Sequence, residues 1–89
     1  MKINLSPRFK RSYKKLPPNV QDDFDEKIIS FIKNPRDPKL SSHKLKGKLQ
    51  NCLSFNLKDG YRVLFEFRAK DEIDLLDLGP HDKYKLWRN

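Results

Sequence analysis

The sequence predicts an α+β fold in which a small twisted antiparallel sheet packs against an N-terminal α-hairpin. Three observations predict it. Apolar residues recur at helical spacing through the first third of the chain, two adjacent prolines interrupt that pattern, and the period changes to two from Leu53 onward. The expected order is β-α-α-β-β-β, closed by a short C-terminal helix or tail. The 89 residues read as one domain, 1–89, with room for two amphipathic helices on a sheet and little more.

Lys2–Leu5 is short and alternating, with Ile3 and Leu5 on one face, and suits an edge or a central strand. Ser6-Pro7 then starts a helix, a capping hydroxyl followed by proline at the first helical position. From Pro7 to about Leu16 this helix sets Phe9, Tyr13 and Leu16 on one stripe, and Arg8, Lys10, Arg11, Lys14 and Lys15 around the rest. Pro17-Pro18 ends it, because a residue before proline avoids helical geometry. A second helix opens with Asn19 as cap or Pro18 in its first turn and runs to about Lys33. It turns Val20, Phe24, Ile28, Phe31 and Ile32 inward. Its early acids, Asp22, Asp23, Asp25 and Glu26, complement the positive end of the helix dipole. Asn34-Pro35 breaks the helix, and residues 35–50 follow as a basic loop with space for a short strand around His43–Leu45.

Leu53, Phe55 and Leu57 alternate with Ser54 and Asn56; Lys58-Asp59-Gly60 turns; Tyr61, Val63, Phe65 and Phe67 alternate with Arg62, Leu64, Glu66 and Arg68. A D-G turn between such runs is a strong hairpin signal. Residues 69–71 make the next turn. Glu72–Leu78 carries apolar residues on both faces, as a buried central strand does. Gly79-Pro80 ends it, and His81–Trp87 forms the helix or tail. With the helices on one face, the other is expected to be polar and concave, carrying Ser54, Asn56, Arg62, Glu66 and Arg68.

Charge narrows the partners. Twenty Lys and Arg oppose twelve Asp and Glu, a net +8 on a small surface, which concentrates polyanions, acidic proteins or anionic lipid. The positive runs are one-sided. Residues 1–16 hold Lys2, Arg8, Lys10, Arg11, Lys14 and Lys15 and no acid, and residues 35–50 hold Arg36, Lys39, Lys44, Lys46 and Lys48 against Asp37 alone. Solvated helix faces are the plainer reading of such runs; a polyanion-binding face is the sharper one. A single Cys52 forms no internal disulfide, and no apolar run approaches the ~20 residues that cross a bilayer, so a cytoplasmic chain without membrane attachment is expected.

One cysteine and two distant histidines make a zinc site improbable, and three scattered glycines exclude a phosphate-cradling loop. No metal and no cofactor is expected. What remains is phosphate chemistry by side chains alone. RNA brings its own 2′-OH nucleophile, so a protein needs a base, an acid and a cation around the phosphate. Arg62, His81 and Tyr84 are suitable types, with His43 as a second histidine beside Lys44 and Lys46. Each has a bland alternative: a solvated strand charge for Arg62, a strand-end residue for His81, a packing aromatic for Tyr84, loop decoration for His43.

The opening K-I-N-L-S-P-R-F-K-R-S-Y-K-K-L-P at Lys2–Pro17, L-K-G at Leu45–Gly47, G-Y-R-V-L-F-E-F at Gly60–Phe67 and L-G-P-H-D-K-Y at Leu78–Tyr84 together resemble the RelE/ParE superfamily of bacterial type II toxins. The resemblance spans most of the chain and implies a RelE-like sheet on an α-hairpin. It also implies a cognate acidic antitoxin that wraps the toxin as a hetero-oligomer. For the histidine-bearing ribonuclease branch, it implies ribosome-dependent, metal-free cleavage of mRNA, an mRNA interferase activity that stops translation. In that branch Arg62 would contact the scissile phosphate, His81 would act as acid or base, Tyr84 would stack on a base or aid catalysis, and His43 would match an upstream histidine. Lys10, Arg11, Lys14, Lys15, Lys44, Lys46 and Lys48 would hold RNA backbone. Ser54 and Asn56 stand where many members carry a basic pair, which shifts weight toward His81 and the loop lysines. The superfamily's other branch inhibits DNA gyrase without a nuclease site, and is the alternative function.

Overall fold

A computed structural model of the chain describes residues 1–40, 42–44 and 51–83, the side chains of Lys39, His43 and Lys44 excepted. Strand β1 (Lys2–Leu5) leads into helices α1 (Pro7–Lys14) and α2 (Pro18–Lys33). A 3-10 turn at Pro38–Leu40 precedes β2 (His43–Lys44), β3 (Leu53–Asn56), β4 (Arg62–Ala69) and β5 (Glu72–Gly79). The five strands lie in the order β1-β5-β4-β3-β2.

The expected α+β class and element order hold, and two points differ. First, the sheet is mixed. β1 pairs parallel with β5, from Lys2 opposite Glu72 to Leu5 opposite Leu75, while the pairs from β2 to β5 are antiparallel. Parallel partners need a long crossover, and here nearly seventy residues of chain intervene. Side chains fix the pairing: Asn4 Nδ2 donates to Glu72 Oε2 and Asp74 Oδ1, both at 2.8 Å. Second, α1 stops at Lys14, short of Leu16; α2 takes the Pro18 opening of the two expected, with Pro17 in the capping position and no side-chain cap.

Local chemistry explains the remaining junctions. Ser6 Oγ accepts from Phe9 N at 2.9 Å, capping α1, and donates to Leu76 O at 2.8 Å, so one hydroxyl starts the helix and seats it on β5. In the β3–β4 turn Asp59 (φ 59°) and Gly60 (φ 79°) are both left-handed, as the twist of a tight hairpin demands. Between β4 and β5, Leu64 faces Asp77 but Phe65 faces Leu75, so Leu76 is an extra, bulged residue. The bulge lets both Leu75 and Leu78 enter the core, which accounts for the broken alternation of that strand.

The core lies between the helices and the sheet. Phe31, Phe55 and Phe65 are wholly buried, with ring centroids 4.9–5.8 Å apart, and Val20, Phe24, Val63, Ile73 and Leu75 surround them. Ile28 is only half-buried and Ile32 is exposed, so α2 does not bury its whole expected stripe. With Ile3, Leu5, Phe9 and Tyr13 they line an apolar groove of about 310 Å³ beside β1. No helix among the described residues is long and apolar enough to cross a membrane.

The second sheet face is only in part the open polar surface expected: Arg68 is exposed and Asn56, Arg62 and Glu66 are half-buried. Ser54 is fully buried, as are Cys52 and Leu64 on that side. Strand alternation distinguishes two faces but does not say which is covered, and apolar Leu64 and Cys52 flank Ser54 there.

Candidate functional site

Arg62 is the first residue of β4, opposite Asn56 on β3 and Gly79 on β5. Its Nη1 donates to Asn56 Oδ1 at 2.8 Å, which fixes the half-buried guanidinium along the end of the sheet. That end is tied to α2. Lys27 Nζ donates to Asn56 O at 3.2 Å and to Asp23 Oδ2 at 3.0 Å, and the same carboxylate accepts Lys58 N at 2.7 Å. Burial pushes the Asp23 carboxyl upward, but the Lys58 N–H and the Lys27 ammonium outweigh it and hold the group below its usual range. Asn19 Nδ2 adds a 3.1 Å bond to Asp59 Oδ2, so the hairpin turn is pinned at two points.

β5 finishes at Gly79, beside Arg62, and the chain then turns at Pro80 into a helical segment, 81–83. His81 opens that segment and is exposed. Arg62 and His81 therefore come to one end of the sheet, separated by Gly79 and Pro80. A shallow cavity of about 170 Å³ lies between α1 and the end of β5, bounded by Ser12, Lys15, Tyr61, Gly79, Pro80 and Lys83 among others; neither Arg62 nor His81 lines it. The side chains that line it from α1 and the turn include Lys15 and Lys83, so its ammonium groups suit an anionic ligand.

The other expected site residues divide. His43 is opposite Ser54, two residues along β3 from Asn56, and its side chain is not among those described. Tyr84, Lys46 and Lys48 lie outside the described residues, and Lys44 is described only as backbone in β2. Lys10, Arg11, Lys14 and Lys15 are exposed along α1 and its C-terminal cap. Asn56 emerges as the partner of Arg62, a role that only the hairpin register reveals. Burial raises the Cys52 thiol, with Glu66 adding to it, so this cysteine is a protonated packing group rather than a nucleophile. Among the described residues no three His, Cys, Asp or Glu side chains gather as a metal site requires.

Comparison with known proteins agrees with this architecture. A family model described as the ParE toxin of the type II toxin–antitoxin system, parDE, matches residues 3–83. A conserved hypothetical protein from Helicobacter pylori, solved in solution, is 30% identical, covering 92% of this chain and 96% of that one at a TM-score of 0.64. A copper-bound mutant toxin from Helicobacter pylori is 27% identical, covering 93% and 97% at 0.70. The toxin of the intact E. coli RelBE toxin–antitoxin complex is 21% identical, covering 89% and 94% at 0.69, a likeness of fold. No curated protein matches.

Proposed function

This chain belongs to the RelE/ParE superfamily of type II toxin–antitoxin toxins, and from that premise we propose that it is a ribosome-dependent endoribonuclease that cuts mRNA. The observation that carries the reading is the meeting of Arg62 and His81 at one sheet end, through the pairing of Arg62 with Gly79. In the proposed reaction the substrate's 2′-oxygen attacks the adjacent phosphorus. The O2′–P bond forms, the P–O5′ bond breaks, and the products are a 2′,3′-cyclic phosphate and a free 5′-hydroxyl. His81 takes the 2′-OH proton or supplies the one that the leaving oxygen needs. Arg62, held by Asn56, stabilises the charge that builds on the phosphate oxygens. Tyr84 orients the nucleotide and His43 serves as a further proton carrier. Lys10, Arg11, Lys14, Lys15, Lys44, Lys46 and Lys48 hold RNA backbone, and no metal or other cofactor takes part.

The partner in this reading is an acidic antitoxin in the cytoplasm, forming a hetero-oligomer with the toxin. The fold neighbour from E. coli was solved as a toxin–antitoxin complex. The basic faces of α1 and the apolar groove beside β1 suit a segment that is both acidic and amphipathic.

A second reading is favoured by the description of the matching family model, the ParE toxin: a non-enzymatic inhibitor of DNA gyrase. Inducible expression with mapping of mRNA 5′ ends separates the two. Codon-phased cuts that vanish in His81→Ala and Arg62→Ala, with antitoxin binding kept, are the expected result. Intact message with a supercoiling defect would overturn the nuclease reading in favour of the second.

A further inference from the structure

We infer that Lys83, Asp77 and Ser12 form a partly buried lock that positions His81, and this inference rests on the nuclease reading above. Lys83 closes the helical turn after β5, its N–H donating to Pro80 O at 2.9 Å. Its side chain is only partly exposed. It folds back over the end of β5, and Nζ donates to Ser12 Oγ at 2.8 Å and to Asp77 Oδ1 at 3.0 Å. Asp77 is almost wholly buried, its side chain 2% exposed against 34% for Lys83. The same Oδ1 also accepts from Ser12 Oγ at 2.7 Å and from Leu78 N at 2.8 Å. A charge so buried is tolerated only when paired and hydrogen-bonded, so the carboxylate calls for a cation, and Lys83 reaches it.

Gly79 makes the path possible. A β-carbon there would stand 2.5 Å from Lys83 Cδ and 3.2 Å from Lys83 Cβ, so the lysine stem crosses where only glycine leaves space. The lock thus ties the turn to β5 through Asp77 and to α1 through Ser12. His81 lies inside the closed segment, two residues before Lys83 and two after Gly79, the residue paired with Arg62. The spacing between imidazole and guanidinium is set by this tie. Lys83, Asp77 and Ser12 are positioning residues, acting through His81 without touching RNA.

The test uses the full chain. Lys83→Met removes the cation and strands a buried carboxylate, which risks the fold, so Asp77→Asn combined with Lys83→Met, which removes both charges, is made beside it. Two readouts are taken. The first is the His81 ring resonances and amide exchange of residues 80–83 by NMR, which needs no activity. The second is single-turnover cleavage of mRNA on programmed ribosomes, titrated in ribosome concentration. In the double variant we expect shifted or broadened His81 resonances, faster exchange in 80–83, and a maximal cleavage rate at least ~10-fold lower. Half-saturation should move less than about twofold, because the basic helix is intact. Unchanged His81 resonances and unchanged exchange in a folded double variant would overturn the lock, as would full cleavage despite a loosened turn. If the parent chain cuts no message, the nuclease reading falls; NMR then still decides whether the lock orders the turn, and an unaltered turn overturns it.

Discussion

At the scale of single residues, the site depends on groups that hold other groups. Arg62 donates a 2.8 Å bond to Asn56 Oδ1, and in the proposed reaction a cation that meets a developing charge works only when it is already in place. We predict that Asn56→Ala lowers single-turnover cleavage by about 10- to 100-fold. In an Arg62→Ala background the same change should cost almost nothing further, since both act through one guanidinium. Additive losses in the double-mutant cycle would show Asn56 acting on its own. This pairing was hard to read in advance. Arg62 and His81 stand out as residue types at a strand start and a strand end, which composition and spacing expose. Asn56 and Lys83 gain their roles from contacts across the hairpin and over Gly79, which no local pattern encodes.

Elements differ in how far local sequence dictates them. The β3–β4 hairpin is written in its own residues, alternation on either side of Asp59-Gly60. Its turn geometry, φ 59° and 79°, is the one such a dipeptide favours. Gly60→Ala places a β-carbon in left-handed backbone with no nearby atom to clash. The expected cost is therefore conformational alone, about 1–2 kcal/mol, measurable by urea unfolding with an unchanged slope. A fall in slope as well would point to a changed denatured state or lost two-state behaviour. The parallel pairing of β1 has no comparable local signature. Lys2–Leu5 looks like any short strand, and its partner Glu72–Leu75 is fixed by Asn4, Ser6 and the seat of α1 on β5. The same limit explains Ser54. Its polarity suggests an outward face, while its burial follows from neighbours elsewhere in the chain.

Across the whole molecule, acids and bases are put to different uses. Several acids act as tie-points between distant segments. Asp23 joins α2 to the hairpin turn, Asp74 binds Asn4 of β1 and Arg68 of β4, and Asp77 anchors Ser12 and Lys83. Many bases, such as Lys10, Arg11, Lys14 and Lys15, are left on the surface, which presents positive charge outward as the proposed binding of RNA requires. Structural acids make the fold sensitive to low pH. Burial raises the Asp74 carboxyl, but the Asn4 amide and the Arg68 guanidinium outweigh it, so its pKa, like that of Asp23, is lowered on folding. A depressed carboxylate stabilises the fold fully above its unfolded value of about 3.9 and loses that contribution as pH falls through the lower folded value. Protonation also adds positive charge to a chain already rich in it. The thermal midpoint should thus be nearly level from pH 7 to about 5 and fall steeply below about 4. Asp74→Asn removes one of these titrations and should flatten part of the acid limb, modestly because its Arg68 partner is largely exposed. An acid limb of equal steepness in parent and variant would place the acid sensitivity on other carboxylates.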